Sequence, residues 1–208
     1  MEVFEYIGAI VIAYFIGSIS SAVWIGKMFY SVDVREFGSS NSGATNTFRV
    51  LGKKAGIPVL LIDIAKGSFA VFLAHILFPS AKGSEIFLEF QLALGAAAIL
   101  GHIFPVFTSF KGGKGIATLL GVMIVIEPIA AGASVLVFLT VLYFSKFVSL
   151  SSILGVLFFP VISIFLFDVS SASFIAFSFG MLLLVLLTHK ENIKRIANKT
   201  ESKVTFFG

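Results

Sequence analysis

The chain has 208 residues, 58% of them hydrophobic, and a mean hydropathy of +1.05, which excludes an ordinary soluble domain. Cysteine is absent, which excludes a disulfide framework and a thiol nucleophile. The formal net charge is +4, and where the 15 Lys and Arg fall is more informative than their sum.

Residues 3–25 form the first apolar run. It opens on the acids Glu2 and Glu5 and lacks the basic n-region and cleavage site of a signal peptide, so it reads as a retained helix. A polar connection covers 26–54. Further apolar runs cover 55–78, 86–104, 116–126, 129–145, 147–167 and 172–188. The predicted class is all-α: a polytopic integral membrane protein with seven transmembrane helices in one domain, 1–208. Seven spans put 26–54, 105–115, Lys146 and the tail 189–208 on one face. With Lys66 in the inner half of the second span, that face holds 14 of the 15 Lys and Arg, and only Lys82 lies opposite. Such a bias places the N-terminus outside and the C-terminus in the cytoplasm. A five-span arrangement would scatter the lysines. In the tail, Arg195, Lys199 and Lys203 read as an anchor on anionic lipid.

Two polar stretches interrupt the apolar pattern. In Phe110-Lys111-Gly112-Gly113-Lys114-Gly115, three glycines permit a tight turn whose successive N–H groups would point at one spot, an anion nest, and two lysines add charge. The run after it, 116–126, spans about 17 Å as a helix at ~1.5 Å per residue, short of a ~30 Å hydrocarbon core. A recessed phosphate-sized site follows, with an ordinary basic loop as the competing reading. In the second stretch, seven of the nine residues from Gly38 to Asn46 are Gly, Ser or Asn, flanked by Arg35 and Arg49, whose guanidinium forks suit phosphate. A flexible linker is the alternative.

Asp63 and Lys66 lie at membrane depth with i, i+3 spacing, which fits either a mutual ion pair or a direct role in a site. His102 precedes Phe104-Pro105 at a helix end. His189 and Asn192 share a helix face at another, where a capping role competes with a site role. Ser149, Ser151 and Ser152 begin a span on the same membrane face, with N-capping as the alternative.

Several chemistries drop out. Lys114 is followed by Gly rather than Ser or Thr and no strand precedes it, so the loop is not a P-loop. His75, His102 and His189 lack partners at zinc spacing, so no metal site is expected. There is no His-x4-Asp dyad and no Gly-x-Ser-x-Gly elbow.

The sequence Gly38-Ser39-Ser40-Asn41-Ser42-Gly43-Ala44-Thr45-Asn46 with Arg49, then Gly101-His102-x-Phe104-Pro105 running into Phe110-Lys111-Gly112-Gly113-Lys114-Gly115-Ile116-Ala117-Thr118, then His189-x-x-Asn192, resembles the acyl-phosphate:glycerol-3-phosphate acyltransferases of bacterial inner membranes, the PlsY family. Ser40 stands where many members have Gly. The resemblance implies a seven-helix fold in the inner membrane with an active site facing the cytoplasm. It implies acyl transfer from acyl phosphate to the sn-1 hydroxyl of glycerol 3-phosphate, giving lysophosphatidic acid and inorganic phosphate. No cofactor and no nucleic acid enter; the partners are the two substrates and membrane lipid. Ser39, Arg49, Lys114, His189 and Asn192 are the implied catalytic residues. Gly38, Ser40, Asn41, Gly43, Ala44, Thr45, Asn46, His102, Lys111, Gly112, Gly113 and Gly115 are the implied substrate-binding residues, and Lys66 and Ser152 join them by position. Acyl phosphate is already activated, so no nucleophilic residue is required. A substrate phosphate oxygen is expected to take the hydroxyl proton, with His102, His189 and the unassigned Asp33 as competing bases. A transporter of a small organic phosphate and a membrane phosphatase are the rival functions; the lack of inverted repeats speaks against the transporter.

Overall fold

The computed structural model describes residues 3–204, Val3 by its backbone alone. Glu2 and the closing Thr205-Phe206-Phe207-Gly208, to which the sequence assigns no role, lie outside the described residues. The described residues form α-helices and short 3-10 turns with no strand, in two compact units, Met1–Ile126 and Glu127–Gly208.

The first unit contains α1 (Val3–Gly17), α2 (Ser21–Tyr30), α3 (Ala44–Leu51), α4 (Lys53–Leu77), α5 (Glu85–Ile103) and α6 (Ile116–Ile126). The first apolar run is therefore not one helix over 3–25. It breaks at 18–20, bends by 41° and continues to Tyr30. Long-range polar partners hold the break: Lys66 Nζ donates to the Ile19 carbonyl at 2.8 Å, and Ser20 Oγ lies 3.0 Å from Thr108 Oγ1. A side chain inserted at a Gly-Ser pair is a usual cause of such a bend. The connection expected over 26–54 is helical toward both ends, α2 running on to Tyr30 and α3 covering Ala44–Leu51, with a non-helical stretch between them broken only by the 3-10 turn Val34–Glu36.

α4 is central, packing against each of the other five helices of this unit. Its closest neighbour is α6. A Cβ on Gly67 would collide with the Thr118 backbone, and one on Gly121 with the Ile64 backbone. Small residues let these helices approach to backbone contact, which drives association where lipid removes the hydrophobic term. α5 ends at Ile103, and Pro105 follows, where the missing N–H does no harm.

The second unit contains α7 (Pro128–Ser145), α8 (Val148–Phe167), α9 (Ala172–Thr188) and α10 (Lys190–Ala197). α7 packs on α8, α8 on α9, and the short polar α10 on both α8 and α9. Pro128 starts α7 at a position where its fixed φ suits the first helical turn. The Phe159 and Phe174 rings, 5.7 Å apart, join α8 to α9.

Among the described residues four helices, α4, α5, α7 and α8, are long and apolar enough to cross a bilayer. The count reaches six if the bent pairs α1–α2 and α9–α10 each form one span. α6 is apolar but only 11 residues long. Phe4, Phe144, Phe165 and Leu136 are among many large apolar side chains left exposed, as expected of surfaces that face lipid.

Candidate active site

One buried amide organises the first polar stretch. Asn46, in the first turn of α3 and 1% exposed, donates through Nδ2 to the carbonyls of Val34 (2.7 Å) and Phe37 (3.1 Å). Its Oδ1 accepts from Ser39 N (2.8 Å) and Ser39 Oγ (3.1 Å). Asn46, expected to bind substrate, thus directs both ends of its amide into the loop. Gly38 has φ +63°, and a Cβ there would collide with Asn46 Oδ1. Ser40 takes φ +56°, the left-handed region that favours glycine. Ser39, Ser40, Thr45 and Arg49 are exposed, while Asn41, Gly43 and Ala44 are partly so.

The two arginines flanking this stretch differ. Arg35 grips Asp33 with both arms of its fork, Nε to Oδ1 at 2.9 Å and Nη2 to Oδ2 at 2.7 Å, and donates from Nη1 to the Thr108 carbonyl at 3.1 Å. Lys27 adds a second cation to Asp33 at 3.1 Å. The Arg35 guanidinium holds the Asp33 carboxyl far below the usual carboxylate range. The expected phosphate role of Arg35 and the open assignment of Asp33 as a base are both corrected by this pairing. Arg49 shows no hydrogen bond or ion pair among the described residues.

The glycine-rich stretch lies beside the first, with Ser42 Oγ 3.5 Å from the Lys111 carbonyl. Ser109 and Phe110 turn the chain through left-handed φ values of 55° and 60°. Gly112 N then donates to the Ile103 carbonyl (3.2 Å) and Gly113 N to the His102 carbonyl (3.1 Å). These N–H groups were expected to face an anion. The correction has a simple cause: the last carbonyls of α5 lack intrahelical partners and take them. Gly115, at φ +82°, leads into α6. Lys111 is exposed and Lys114 partly so. The Gly112 and Gly113 N–H groups are thus engaged by α5, and the lysines and the first N–H groups of α6 remain as candidate donors for an anion.

Lys66 and His102 are 6% exposed and Asp63 1%. Asp63 and Lys66 form the ion pair that their spacing allows, at 2.8 Å.

In the second unit a carboxylate is the organiser. Glu201 Oε1 accepts from Ser149 Oγ (2.7 Å) and Asn192 Nδ2 (2.6 Å), and Oε2 from Arg195 Nε (2.7 Å). Burial pushes the Glu201 carboxyl up, and the hydrogen bonds from Asn192, Ser149 and Arg195 outweigh it, leaving it below its ordinary value. His189 ends α9, and its Nδ1 lies 2.9 Å from the Val185 carbonyl. A carbonyl only accepts, so Nδ1 carries the hydrogen and Nε2 is the acceptor nitrogen of the neutral ring. Ser151 and Ser152 donate back to the carbonyls of Phe147 (2.7 Å) and Val148 (2.9 Å), so neither caps α8. Arg195 and Lys203, read as lipid anchors, have protein partners: Glu201, and the Phe147 ring at 5.6 Å. Sequence reasoning missed Glu201. Its only signal was an acid, the second of the tail after Glu191, following four basic residues.

The family described as glycerol-3-phosphate acyltransferase matches residues 7–199 of the chain. The chain belongs to this family. The glycerol-3-phosphate acyltransferase of Listeria monocytogenes is 46% identical over 193 residues, 93% of each chain. Glycerol-3-phosphate acyltransferase 2 of Bacillus anthracis is 44% identical over 197 residues, 94% of this chain and 97% of that one. Among solved structures, the glycerol 3-phosphate form of PlsY, an integral membrane glycerol 3-phosphate acyltransferase, superposes with a TM-score of 0.86 at 34% identity, covering 96% of both chains. The lysophosphatidic acid form of PlsY gives 0.83 at 34% identity, covering 96% of this chain and 95% of that one. The family's helical membrane fold is thus present along nearly the whole chain.

Proposed function

We propose that this protein transfers a fatty acyl group from acyl phosphate to the sn-1 hydroxyl of glycerol 3-phosphate, releasing lysophosphatidic acid and inorganic phosphate. The observation that carries this reading is the family match over residues 7–199, which contains every motif used above. Ser39, Arg49, Lys114, His189 and Asn192 are the proposed catalytic residues. Arg49 and Lys114, with Lys111, supply cations for phosphate groups, which both substrates carry. Their value is greatest where charge develops on the leaving phosphate and the carbonyl oxygen. Incubating purified protein with acyl phosphate and glycerol 3-phosphate tests the reading. Lysophosphatidic acid and phosphate in equal amounts are expected. Phosphate without acylated product would mean a phosphatase, and neither product would leave the transporter.

The glycerol hydroxyl proton passes to a substrate phosphate oxygen. Asp33 is held by Arg35 and Lys27, Asp63 by Lys66, and both ring nitrogens of His102 face protein, Nδ1 toward Thr118 and Asp63 and Nε2 toward Gly113. His189, itself only 3% exposed, is the remaining competing base. Under this reading His189→Gln lowers the rate yet keeps the shape of the pH–rate profile. Loss of one limb, with more than ~10³-fold loss of turnover, makes His189 the base.

The protein sits in the bacterial inner membrane with seven spans, α6 being the short one, its N-terminus outside and its C-terminus cytoplasmic. The 14-to-1 division of Lys and Arg supports this orientation. Single cysteines at positions 82 and 127 are expected to react with an impermeant external reagent, and those at 54, 146 and 199 to be protected in intact cells. External labelling at 146 overturns the seven-span arrangement.

A further inference from the structure

A buried polar chain lies beneath the glycine-rich loop, and it contains Lys66 and His102, two residues expected from the sequence to bind substrate. It begins at the break in the first span, where Lys66 Nζ holds the Ile19 carbonyl at 2.8 Å. Lys66 pairs with Asp63 Oδ1 at 2.8 Å, and Ser21 Oγ, in the first turn of α2, donates to the same oxygen at 2.8 Å. Asp63 Oδ1 is 3.6 Å from His102 Nδ1, and Thr118 Oγ1, on α6, is 3.1 Å from that nitrogen. The other ring nitrogen, Nε2, faces Gly113. A Cβ placed on Gly113 would collide with Nε2, and the three atoms nearest to it all belong to the His102 ring. Gly113 N also donates to the His102 carbonyl at 3.1 Å. Side chain and main chain of one residue therefore support one glycine.

Three alternatives fit less well. A base must reach substrate, but both nitrogens of His102 are turned into protein and the residue is 6% exposed. Direct phosphate binding by Lys66 meets the same obstacle, since its ammonium already has a carboxylate and a carbonyl. An ion pair kept only for stability is poorly suited to this depth, because well-packed apolar side chains do as well or better there.

We propose that His102 is a positioning residue: its ring is the platform on which Gly113 rests, fixing the backbone from which Lys114 projects, while Asp63, Lys66 and Thr118 fix the ring. This rests on the reading of Lys114 as a phosphate ligand. The steric demand for glycine at 113 then comes first from His102, whose ring supplies the three atoms nearest to a Cβ placed there. Gly113 does not have a left-handed φ, so its backbone accepts alanine.

A double-mutant cycle tests this in purified, membrane-reconstituted protein, with lysophosphatidic acid formation, inhibition by added inorganic phosphate and thermal unfolding measured for each variant. Gly113→Ala is expected to lower kcat/KM by ~100-fold or more and His102→Ala by ~10-fold. The double variant is expected to recover at least ~10-fold over Gly113→Ala, because the new methyl occupies space the ring has left. Folded His102→Ala and the milder Thr118→Val are expected to weaken phosphate inhibition at least ~3-fold with little change in unfolding temperature, which a purely structural staple would not do. Losses that multiply in the double variant, or unchanged phosphate inhibition in folded His102→Ala, overturn the platform. If His102→Ala does not fold, the same cycle with His102→Ser decides between these outcomes. If wild-type protein forms no lysophosphatidic acid, the acyl-transfer reading fails instead, and phosphate binding by wild type and variants still tests the platform.

Discussion

The Ser39 loop of the first unit and the Asn192 cluster of the second are each built around a single buried hub, and the hubs differ in charge. Asn46 makes four hydrogen bonds with one neutral amide, all to its own loop, and leaves Ser39 exposed. Glu201 makes three with one carboxylate, each to a side chain on α8 or α10, and holds Asn192 from the chain's far end. A neutral hub shapes backbone and is blind to pH. A charged hub bonds more strongly, fixes side chains and titrates. The first loop also leaves its exposed cation, Arg49, available to a ligand, whereas Arg195 answers the Glu201 carboxylate.

The largest effects are expected where cations meet substrate. Arg49→Ala and Lys114→Ala should each lower turnover by ~10²–10³-fold or more, since a charge-assisted hydrogen bond is worth ~1.5–3 kcal/mol and more when aimed at developing charge. Arg49 is exposed and makes no bond among the described residues, so its variant should unfold at the parent temperature. Near-parental turnover in Arg49→Ala would remove the distinction between Arg49 and Arg35.

Removing the hubs sharpens the contrast. Glu201→Gln should cost about 1–2 kcal/mol of stability at neutral pH, because the amide matches only part of the network, while the lost pairing with the partly exposed Arg195 is screened by solvent. The Glu201 carboxyl is depressed in the fold, so its contribution is complete above its ordinary value and is lost as pH falls through the lowered one. Parent protein should therefore lose stability in acid over that range, and Glu201→Gln should lose less. Asn46→Ala should cost ~1–3 kcal/mol, with the same difference from parent at every pH from about 5 to 8. Thermal unfolding across pH measures both. A pH-dependent penalty for Asn46→Ala would break the comparison.

How legible each feature was depended on the range of the forces behind it. Apolar runs and Pro105 marked α4 through α9 because burial in lipid acts on local composition, and the Asp63–Lys66 pair followed from one helical turn of spacing. The break at 18–20 sits within an apolar run and is stabilised by Lys66 and Thr108, far away in sequence. Glu201 escaped notice in part for the same reason: Asn192 and Arg195 lie nine and six positions earlier, but Ser149, which ties the tail to α8, lies 52 positions earlier. The anion-nest reading considered the glycines and omitted the α5 carbonyls, which bind the same N–H groups. Arg35 was misread although Asp33 stands two residues away: the short turn at Val34–Glu36 is what folds them together.

The smallest effect concerns Ser40, next to the residue that Asn46 holds. Its φ of +56° is left-handed, and that conformation costs an L-residue ~1–2 kcal/mol, while glycine escapes the cost. Glycine carries an opposing term, because a freer unfolded chain loses ~0.4–1 kcal/mol more entropy on folding. Ser40 is exposed, and its main-chain bond from N to the Phe37 carbonyl, 3.1 Å, survives either residue. The two terms nearly cancel, so Ser40→Gly should lie within ~1 kcal/mol of the parent, on the stabilising side. A β-branched residue keeps the left-handed cost that serine already carries and adds crowding, so Ser40→Val should be less stable than the parent and ~1–2 kcal/mol less stable than Ser40→Gly. Unfolding of the two variants side by side measures the difference. If Ser40→Val is as stable as Ser40→Gly, the left-handed turn after Ser39 is not what the fold requires, and the Asn46 hub has more freedom than its four bonds imply.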